Sequence, residues 1–207
     1  SILPLLASTT LIAIQRMAGL SAMFMLLGLC IFVSTYSSEQ SAARKFVLRT
    51  LSIAALGIVS FLSKENGGLI VIFALLIDNF LRDRNQKRNL YEKILTAGLW
   101  ISTSAILFYL SPLNKDWLTP LDHRGYSPWE RVQTELVLLW KYLYYAFLPQ
   151  RPTFFGPFHD DVTLVKESSH ILLAAFAWTI SIAAACLLRR KAPLLLFAIL
   201  WYLVAHL

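Results

Sequence analysis

The sequence predicts an all-α, polytopic helical membrane protein with about five to six spanning helices and one further helix at the membrane surface. Of its 207 residues, 57% are hydrophobic and only 15% are charged. The mean hydropathy is +0.59. Several apolar runs approach the ~20 residues that a helix needs to cross a bilayer. The alternating segments of about ten residues that mark a membrane β-barrel do not occur in the sequence.

Each predicted helix is an apolar run bounded by charged or helix-breaking residues. In chain order, the runs cover residues 3–14, 17–36, 48–63, 68–81, 94–112, 169–188 and 193–207. The run over 17–36 contains small residues such as Gly19 and Gly28, which allow helices to pack closely. The runs over 48–63 and 68–81 form a hairpin whose tip is Ser63-Lys64-Glu65-Asn66-Gly67-Gly68.

The distribution of basic residues predicts the orientation of these helices. Most of them lie in three short loops: Arg44, Lys45 and Arg49; Arg82, Arg84, Lys87, Arg88 and Lys93; Arg189, Arg190 and Lys191. By the positive-inside rule these loops are cytoplasmic, and the formal net charge of +7 is a topology signal rather than evidence of nucleic-acid binding. The hairpin tip, Arg16 and the long segment 113–168 then face the opposite, non-cytoplasmic side.

The non-cytoplasmic segment 113–168 contains a further predicted helix over 127–149. Ser127-Pro128-Trp129-Glu130 is a typical helix start, with serine as N-cap, proline in the first turn and glutamate shortly after. The second half is rich in Trp, Tyr and Phe, which favours a helix that lies on or dips into the membrane surface. If it crossed the membrane instead, Arg189, Arg190 and Lys191 would lie outside the cell.

Two interpretations of Lys64 and Glu65 remain open on the sequence alone. From Arg49 to Lys64 a helix rises about 22 Å, which is less than the roughly 30 Å of a hydrocarbon core. If Arg49 marks one membrane surface, Lys64 and Glu65 dip toward the opposite leaflet, where charges usually face a polar cavity and are functional. Alternatively, the helix starts earlier, Arg49 snorkels, and the tip lies among the headgroups.

The residues on the non-cytoplasmic side could form a site for a ligand that is anionic at one end and apolar at the other. Cationic candidates for a phosphate or pyrophosphate are Arg16, Lys64, Arg124, Arg131 and Arg151. Glu65, Asp160 or Asp161 could act as a general base or hold a divalent cation. The alternatives are a headgroup anchor at Arg16, a simple ion pair at Lys64-Glu65, and a solvated loop turn at His159-Asp160-Asp161.

Several of these segments, taken in order, resemble a known family. They are similar to the membrane region of bacterial proteins related to the transmembrane and tetratricopeptide-repeat O-mannosyltransferases. The similar segments are Ile14-Gln15-Arg16-Met17-Ala18, Leu62-Ser63-Lys64-Glu65-Asn66 and an apolar arm that ends in Asp78. Later segments resemble the bacterial branch of that family: 126–131, 155–161 and 193–206. The resemblance extends over nearly all of the chain.

The resemblance implies a glycosyltransferase with the multispanning C-type fold, located in the bacterial inner membrane with its site facing the periplasm. Such an enzyme transfers a sugar from a polyprenyl-phosphate donor to an exported protein or glycan acceptor. The resemblance carries over Gln15, Arg16, Lys64 and Glu65 as site residues, with Arg16 and Lys64 contacting the donor phosphate. His159, Asp160 and Asp161 match a motif whose role is not known.

We interpret residues 1–207 as a single transmembrane domain and as an internal fragment, because the chain starts without Met and ends within an apolar run. The main catalytic base would precede Ser1, tetratricopeptide repeats would follow, and the fragment alone is not expected to be active. Two other functions remain open: a transporter or flippase of a lipid-linked saccharide, and a non-catalytic membrane scaffold attached to the repeats.

Overall fold

The computed structural model describes residues 13–82, 88–111, 126–147 and 167–206, and every secondary-structure element in these ranges is helical. In order they are α1 (Ala13–Ser34), α2 (Ala42–Ser63), a 3₁₀ turn (Glu65–Leu69), α3 (Ile70–Leu81), α4 (Leu90–Leu110), α5 (Pro128–Phe147), α6 (Ser168–Leu188) and α7 (Pro193–Ala205). The helices predicted from residue 17 onward are thus confirmed. The chain forms two compact units, one containing α5 and α6 and the other containing α1 to α4 and α7.

Helices α1 and α2 form an antiparallel pair in the larger unit. Ser41 caps α2, because its Oγ accepts a hydrogen bond from the Arg44 N–H at 3.4 Å. Gly28 lets the two helices approach closely. A Cβ at this position would lie 3.0 Å from the Ser52 carbonyl oxygen and 2.9 Å from Cδ1 of Ile70. The small residue therefore sets the distance at which α1 packs against its neighbours.

Helix α3 lies in the middle of the larger unit. It has 12 residues and a length of about 18 Å, and most of its side chains are buried, including Ile70 and Phe73. Helix α7 packs against it with aromatic pairs. The ring centroids of Phe73 and Trp201 are 4.2 Å apart, and those of Phe80 and Phe197 are 4.7 Å apart. Because the first pair joins the start of α3 to the end of α7, the two helices are antiparallel.

In the smaller unit, helix α5 has the N-terminal cap at Ser127 that the sequence predicts. The Ser127 Oγ accepts from the Glu130 N–H at 3.2 Å, and a Glu130 carboxylate oxygen accepts from the Ser127 N–H at 2.8 Å. This reciprocal pair is a capping box, which fixes the helix start. Helix α6 packs on α5 through Trp178, whose indole N–H donates to the Leu136 carbonyl at 3.1 Å and whose ring contacts Trp140.

Four of the described helices are long and apolar enough to cross a membrane: α1 from Arg16 onward, α2, α4 and α6. Large apolar side chains on their outer faces are exposed, for example Ile101 (70%) and Leu187 (85%). These features suggest an integral membrane protein. Helices α3 and α7 are shorter, so the predicted number of about five to six spans remains a prediction.

Arg49 does not lie where either interpretation of the hairpin placed it. Helix α2 begins at Ala42, and Arg49, in its second turn, is only 4% exposed. Its Nε donates to the Thr35 hydroxyl at 2.5 Å, and its guanidinium stacks on the Tyr36 ring at 3.9 Å. Arg49 therefore packs inside the protein rather than snorkelling. The 22 residues of α2 rise about 33 Å, which is sufficient to place Lys64 at the far end of a span.

Candidate functional site

Lys64 and Glu65 lie at a break between two helices. Helix α2 ends because Lys64 leaves the helical path and adopts an extended conformation, with φ −161° and ψ 143°. The Lys64 N–H still donates to the Ser60 carbonyl at 3.0 Å, and the Lys64 carbonyl accepts from the Gly67 N–H at 2.8 Å. The Lys64 side chain is half-buried and that of Glu65 is exposed. No ion pair joins these two side chains among the described residues.

The turn that follows is held against α1 by two serines and a glycine. The Ser60 hydroxyl donates to the Ser21 carbonyl at 2.7 Å, and the two hydroxyl oxygens are 3.0 Å apart. Gly67 is buried directly on Ser60, and a Cβ at position 67 would overlap the Ser60 carbonyl carbon and Oγ. Because only glycine fits here, the position of Lys64 is fixed by backbone contact rather than by its own side chain.

Arg16 lies at the same end of the unit as Lys64. Helices α1 and α2 are antiparallel, and Ser21 contacts Ser60. Arg16 lies about 7 Å before Ser21 along α1, and Lys64 lies about 6 Å beyond Ser60 along α2. Both positions are therefore displaced from the serine contact in the same direction. Gln15 is part of α1, but its side chain lies outside the described part of the structure.

His206 reaches this end as well, and the sequence did not single it out as a site residue. Trp201 packs beside Phe73 near the start of α3, and α7 continues past it to Ala205. Since α7 is antiparallel to α3, His206 lies toward the 3₁₀ turn that carries Glu65. Its Nδ1 is 2.8 Å from the Tyr202 carbonyl, and its ring is exposed. The antiparallel packing of α7 establishes this placement.

An apolar groove of about 550 Å³ begins beside the turn and runs between α2, α3 and α4. At the end near Lys64 it is lined by Phe61, Leu62 and Gly68, and toward the other end it reaches Phe46. Gly98 of α4 forms part of its wall, and a Cβ there would have open space around it. The groove therefore connects the charged turn to a long apolar surface.

The opposite end of the larger unit contains a buried polar network centred on Asp78, which is 0% exposed. Asp78 Oδ1 accepts from the Tyr36 hydroxyl at 2.6 Å and from Nη2 of Arg82 at 2.7 Å. The Thr96 hydroxyl oxygen is 3.2 Å from Oδ2 and 2.8 Å from the Glu92 carbonyl, so its hydrogen can serve either acceptor. The network joins the ends of α1 and α3 to the start of α4.

The protonation states in this network follow from its burial. Burial and the hydrogen bond to Asp78 raise the pKa of the Tyr36 phenol well above its ordinary value. Burial lowers the pKa of the Arg82 guanidinium, but the hydrogen bond and the charge of Asp78 raise it by more. Tyr36 thus remains a neutral donor and Arg82 remains a cation. All partners of the carboxylate are supplied by the protein, which is typical of a structural network.

The remaining candidate residues belong to the smaller unit or lie outside the described residues. Arg131 is exposed on α5 in the smaller unit. Arg124, Arg151, His159, Asp160 and Asp161 lie outside the described residues. Within the described ranges no group of three His, Cys, Asp or Glu side chains could hold a metal ion. A divalent cation held by Asp160 and Asp161 therefore stays a prediction from the sequence.

Comparison of the chain with protein-family models, curated proteins and solved structures gives no match. The resemblance to the O-mannosyltransferase family consequently stays an expectation from short motifs. The geometry of the charged turn and its groove is what bears on the function.

Proposed function

We propose that the protein is a membrane glycosyltransferase that transfers a sugar from a polyprenyl-phosphate donor to an exported protein or glycan acceptor. One observation carries the proposal: Lys64 and Glu65 lie directly after Phe61 and Leu62, which line one end of an apolar groove, and Arg16 lies at the same end of the helices. A polyprenyl-phosphate sugar has the matching chemistry, since it combines an anionic phosphate and a polar sugar with a long apolar chain.

In the proposed reaction the acceptor oxygen attacks the anomeric carbon of the sugar. The bond from that carbon to the phosphate oxygen breaks, and the phosphate leaves with the bonding electrons. Arg16 and Lys64 stabilise the negative charge that develops on the departing phosphate. A carboxylate accepts the acceptor's proton, and Glu65 is the candidate that the structure describes, beside Asp160 and Asp161 from the sequence.

The groove gives the apolar chain of the donor a place to bind. Its walls are supplied by α2, α3 and α4, and Phe61 and Leu62 line it directly before Lys64. An isoprenyl chain bound there would hold its phosphate near the turn, so that binding energy from the chain helps to position the reacting end. The proposed location is the bacterial inner membrane, with the turn and groove mouth facing the periplasm.

The proposal is tested by donor binding to the whole protein in liposomes, with polyprenyl phosphate carrying tritiated mannose as the probe. We expect Arg16→Ala and Lys64→Ala each to weaken binding about tenfold, because each removes a charge-assisted contact to phosphate. Lys93→Ala is the matched control. It removes an exposed lysine near the start of α4, at the other end of the unit, and should bind the donor like the wild type.

Transfer of the tritiated sugar to an acceptor is measured in the same liposomes. Binding that is lost in Arg16→Ala and Lys64→Ala but kept in Lys93→Ala supports the phosphate site. If the wild type does not bind the donor, or if all three variants bind equally, the proposal is wrong. Tight binding without any transfer would instead favour a flippase for the lipid-linked sugar.

A further inference from the structure

A second pocket, of about 400 Å³, lies between the end of α3 and the first half of α7. Arg82, Arg189 and Arg190 line it together with Asn79, and Phe197 and Leu200 are among its apolar walls. It lies at the end of α3 that is opposite to the 3₁₀ turn. The pocket is thus separate from the proposed donor site and independent of that proposal.

The lining of this pocket carries an excess of positive charge. Arg82 is already paired with Asp78 at 2.7 Å, and its Nη1 lies 4.0 Å from a Glu92 carboxylate oxygen. Arg189 and Arg190 are both exposed and belong to the same unit as α3 and α7. Of the lining residues that the structure describes, none is a carboxylate. An anionic group would therefore meet two guanidinium groups with no acidic competitor in the described lining.

The apolar walls decide the class of ligand. A soluble anion would gain nothing from Phe197 and Leu200, whereas an acyl chain would cover them. Guanidinium groups bind phosphate in a bidentate manner, and basic pockets between membrane helices are known to hold anionic lipid headgroups. The three arginines also follow immediately after apolar helices, a position from which basic side chains commonly reach lipid headgroups.

We propose that this pocket binds one anionic phospholipid, with its phosphate on Arg189 and Arg190 and an acyl chain along α7. Asn79 also lines the pocket, and its side-chain amide has a second N–H besides the one that it donates to the Leu75 carbonyl at 2.9 Å. The lipid would bridge α3 and α7 at the end where Phe80 and Phe197 already make contact.

The test is lipid retention by the whole protein in detergent, measured by native mass spectrometry with phosphatidylglycerol and phosphatidylcholine as probes. We expect the wild type to retain phosphatidylglycerol about tenfold better than phosphatidylcholine. The double variant Arg189→Gln/Arg190→Gln should lose this preference. Lys93→Gln/Lys191→Gln is the matched control, because it removes two exposed charges that do not line the pocket.

Glycerol 3-phosphate is added in a separate arm to distinguish a lipid from a free phosphate. The proposal is supported if glycerol 3-phosphate does not displace phosphatidylglycerol from the wild type, and if only the arginine variant loses the lipid. Equal retention of both lipids by the wild type overturns it. If the lysine control loses as much of the lipid preference as the arginine variant, the effect is one of general charge and the proposal is overturned. Displacement of the lipid by glycerol 3-phosphate also overturns it.

Discussion

Tyr36 donates its phenolic hydrogen to the fully buried Asp78 across 2.6 Å, and this contact joins the end of α1 to the end of α3. The same carboxylate oxygen also accepts from Arg82. Arg49, from α2, stacks its guanidinium on the face of the Tyr36 ring. One tyrosine thus contacts a cation through its ring and an anion through its hydroxyl. Three helices of the larger unit meet through these contacts.

The first prediction concerns the loss of the Asp78 charge. Asp78→Asn removes the buried 2.7 Å ion pair of Arg82 and leaves it only the Glu92 carboxylate at 4.0 Å, so we expect the free energy of unfolding to fall by about 3 kcal/mol. The measurement is unfolding by sodium dodecyl sulfate in mixed micelles, followed by circular dichroism. Glu39→Gln, which neutralises an exposed carboxylate, is the control and should change stability by less than about 0.5 kcal/mol. Equal stability of both variants would show that the network is not structural.

The second prediction concerns alkaline pH. Because the pKa of Tyr36 is raised in the folded state, the unfolded chain releases this proton first, above about pH 10. The folded state therefore loses stability as the pH rises further, with a slope of at most about 1.4 kcal/mol per pH unit. Tyr36→Phe should remove this part of the slope.

The measurement for this second prediction is the free energy of unfolding from pH 8 to pH 11.5 for wild type and variant. Tyr91→Phe, which removes a more exposed phenol on α4, is the control and should keep the slope of the wild type. A slope that is the same in Tyr36→Phe and in the wild type would contradict the assignment of the effect to Tyr36.

The network explains why parts of the fold were not predictable from the sequence. Apolar runs located the helices, since length and hydropathy are local properties of the chain. The burial of Arg49 and Asp78 depends on partners such as Tyr36 and Thr96, which lie on other helices. Both interpretations of the sequence therefore have the Arg49 charge at a membrane surface, although Arg49 packs inside the protein.

The third prediction compares two neighbouring glycines in the 3₁₀ turn. Gly67→Ala places a Cβ into the backbone of α2 at Ser60, and we expect a loss of about 2 to 3 kcal/mol because the backbone must shift. Gly68→Ala is the matched control. Its Cβ would be 3.5 Å from the Phe61 ring, an ordinary contact, so stability should change by less than about 1 kcal/mol.

The free energy of unfolding in mixed micelles measures the difference in stability between these two glycine variants. Donor binding shows whether the backbone shift in Gly67→Ala extends to Lys64. The Lys64 carbonyl accepts from the Gly67 N–H, so a displaced turn should also weaken donor binding in Gly67→Ala. If the two variants are equally stable, the close contact between Gly67 and Ser60 does not determine the position of the turn.

The candidate site was predictable only in part. The order of the motifs identified Arg16, Lys64 and Glu65, and the antiparallel α1 and α2 place Arg16 and Lys64 at one end of the unit. The groove could not be predicted from the sequence, because its walls come from three helices, and neither could the place of Arg189 in a pocket. A cluster of arginines after an apolar run predicts topology, and only tertiary packing shows that it lines a cavity.

The last prediction tests the groove itself. Gly98 lines the groove, and a Cβ at this position would have no other atom within 4 Å; Gly98→Leu also replaces glycine by a stronger helix former. The protein should therefore remain as stable as the wild type. Binding of polyprenyl phosphate that carries tritiated mannose should weaken about tenfold, because the leucine occupies the space proposed for the isoprenyl chain.

Ala97→Leu provides the matched control for this groove variant, since it adds an exposed leucine to the neighbouring position of α4, which does not line the groove. Its donor binding should equal that of the wild type. Comparing the mannosyl donor with a short-chain analogue adds a second criterion, because Gly98→Leu should affect only the long-chain donor. If Gly98→Leu binds the long-chain donor normally, the chain does not occupy this groove, and Arg16 and Lys64 must bind the phosphate without its help.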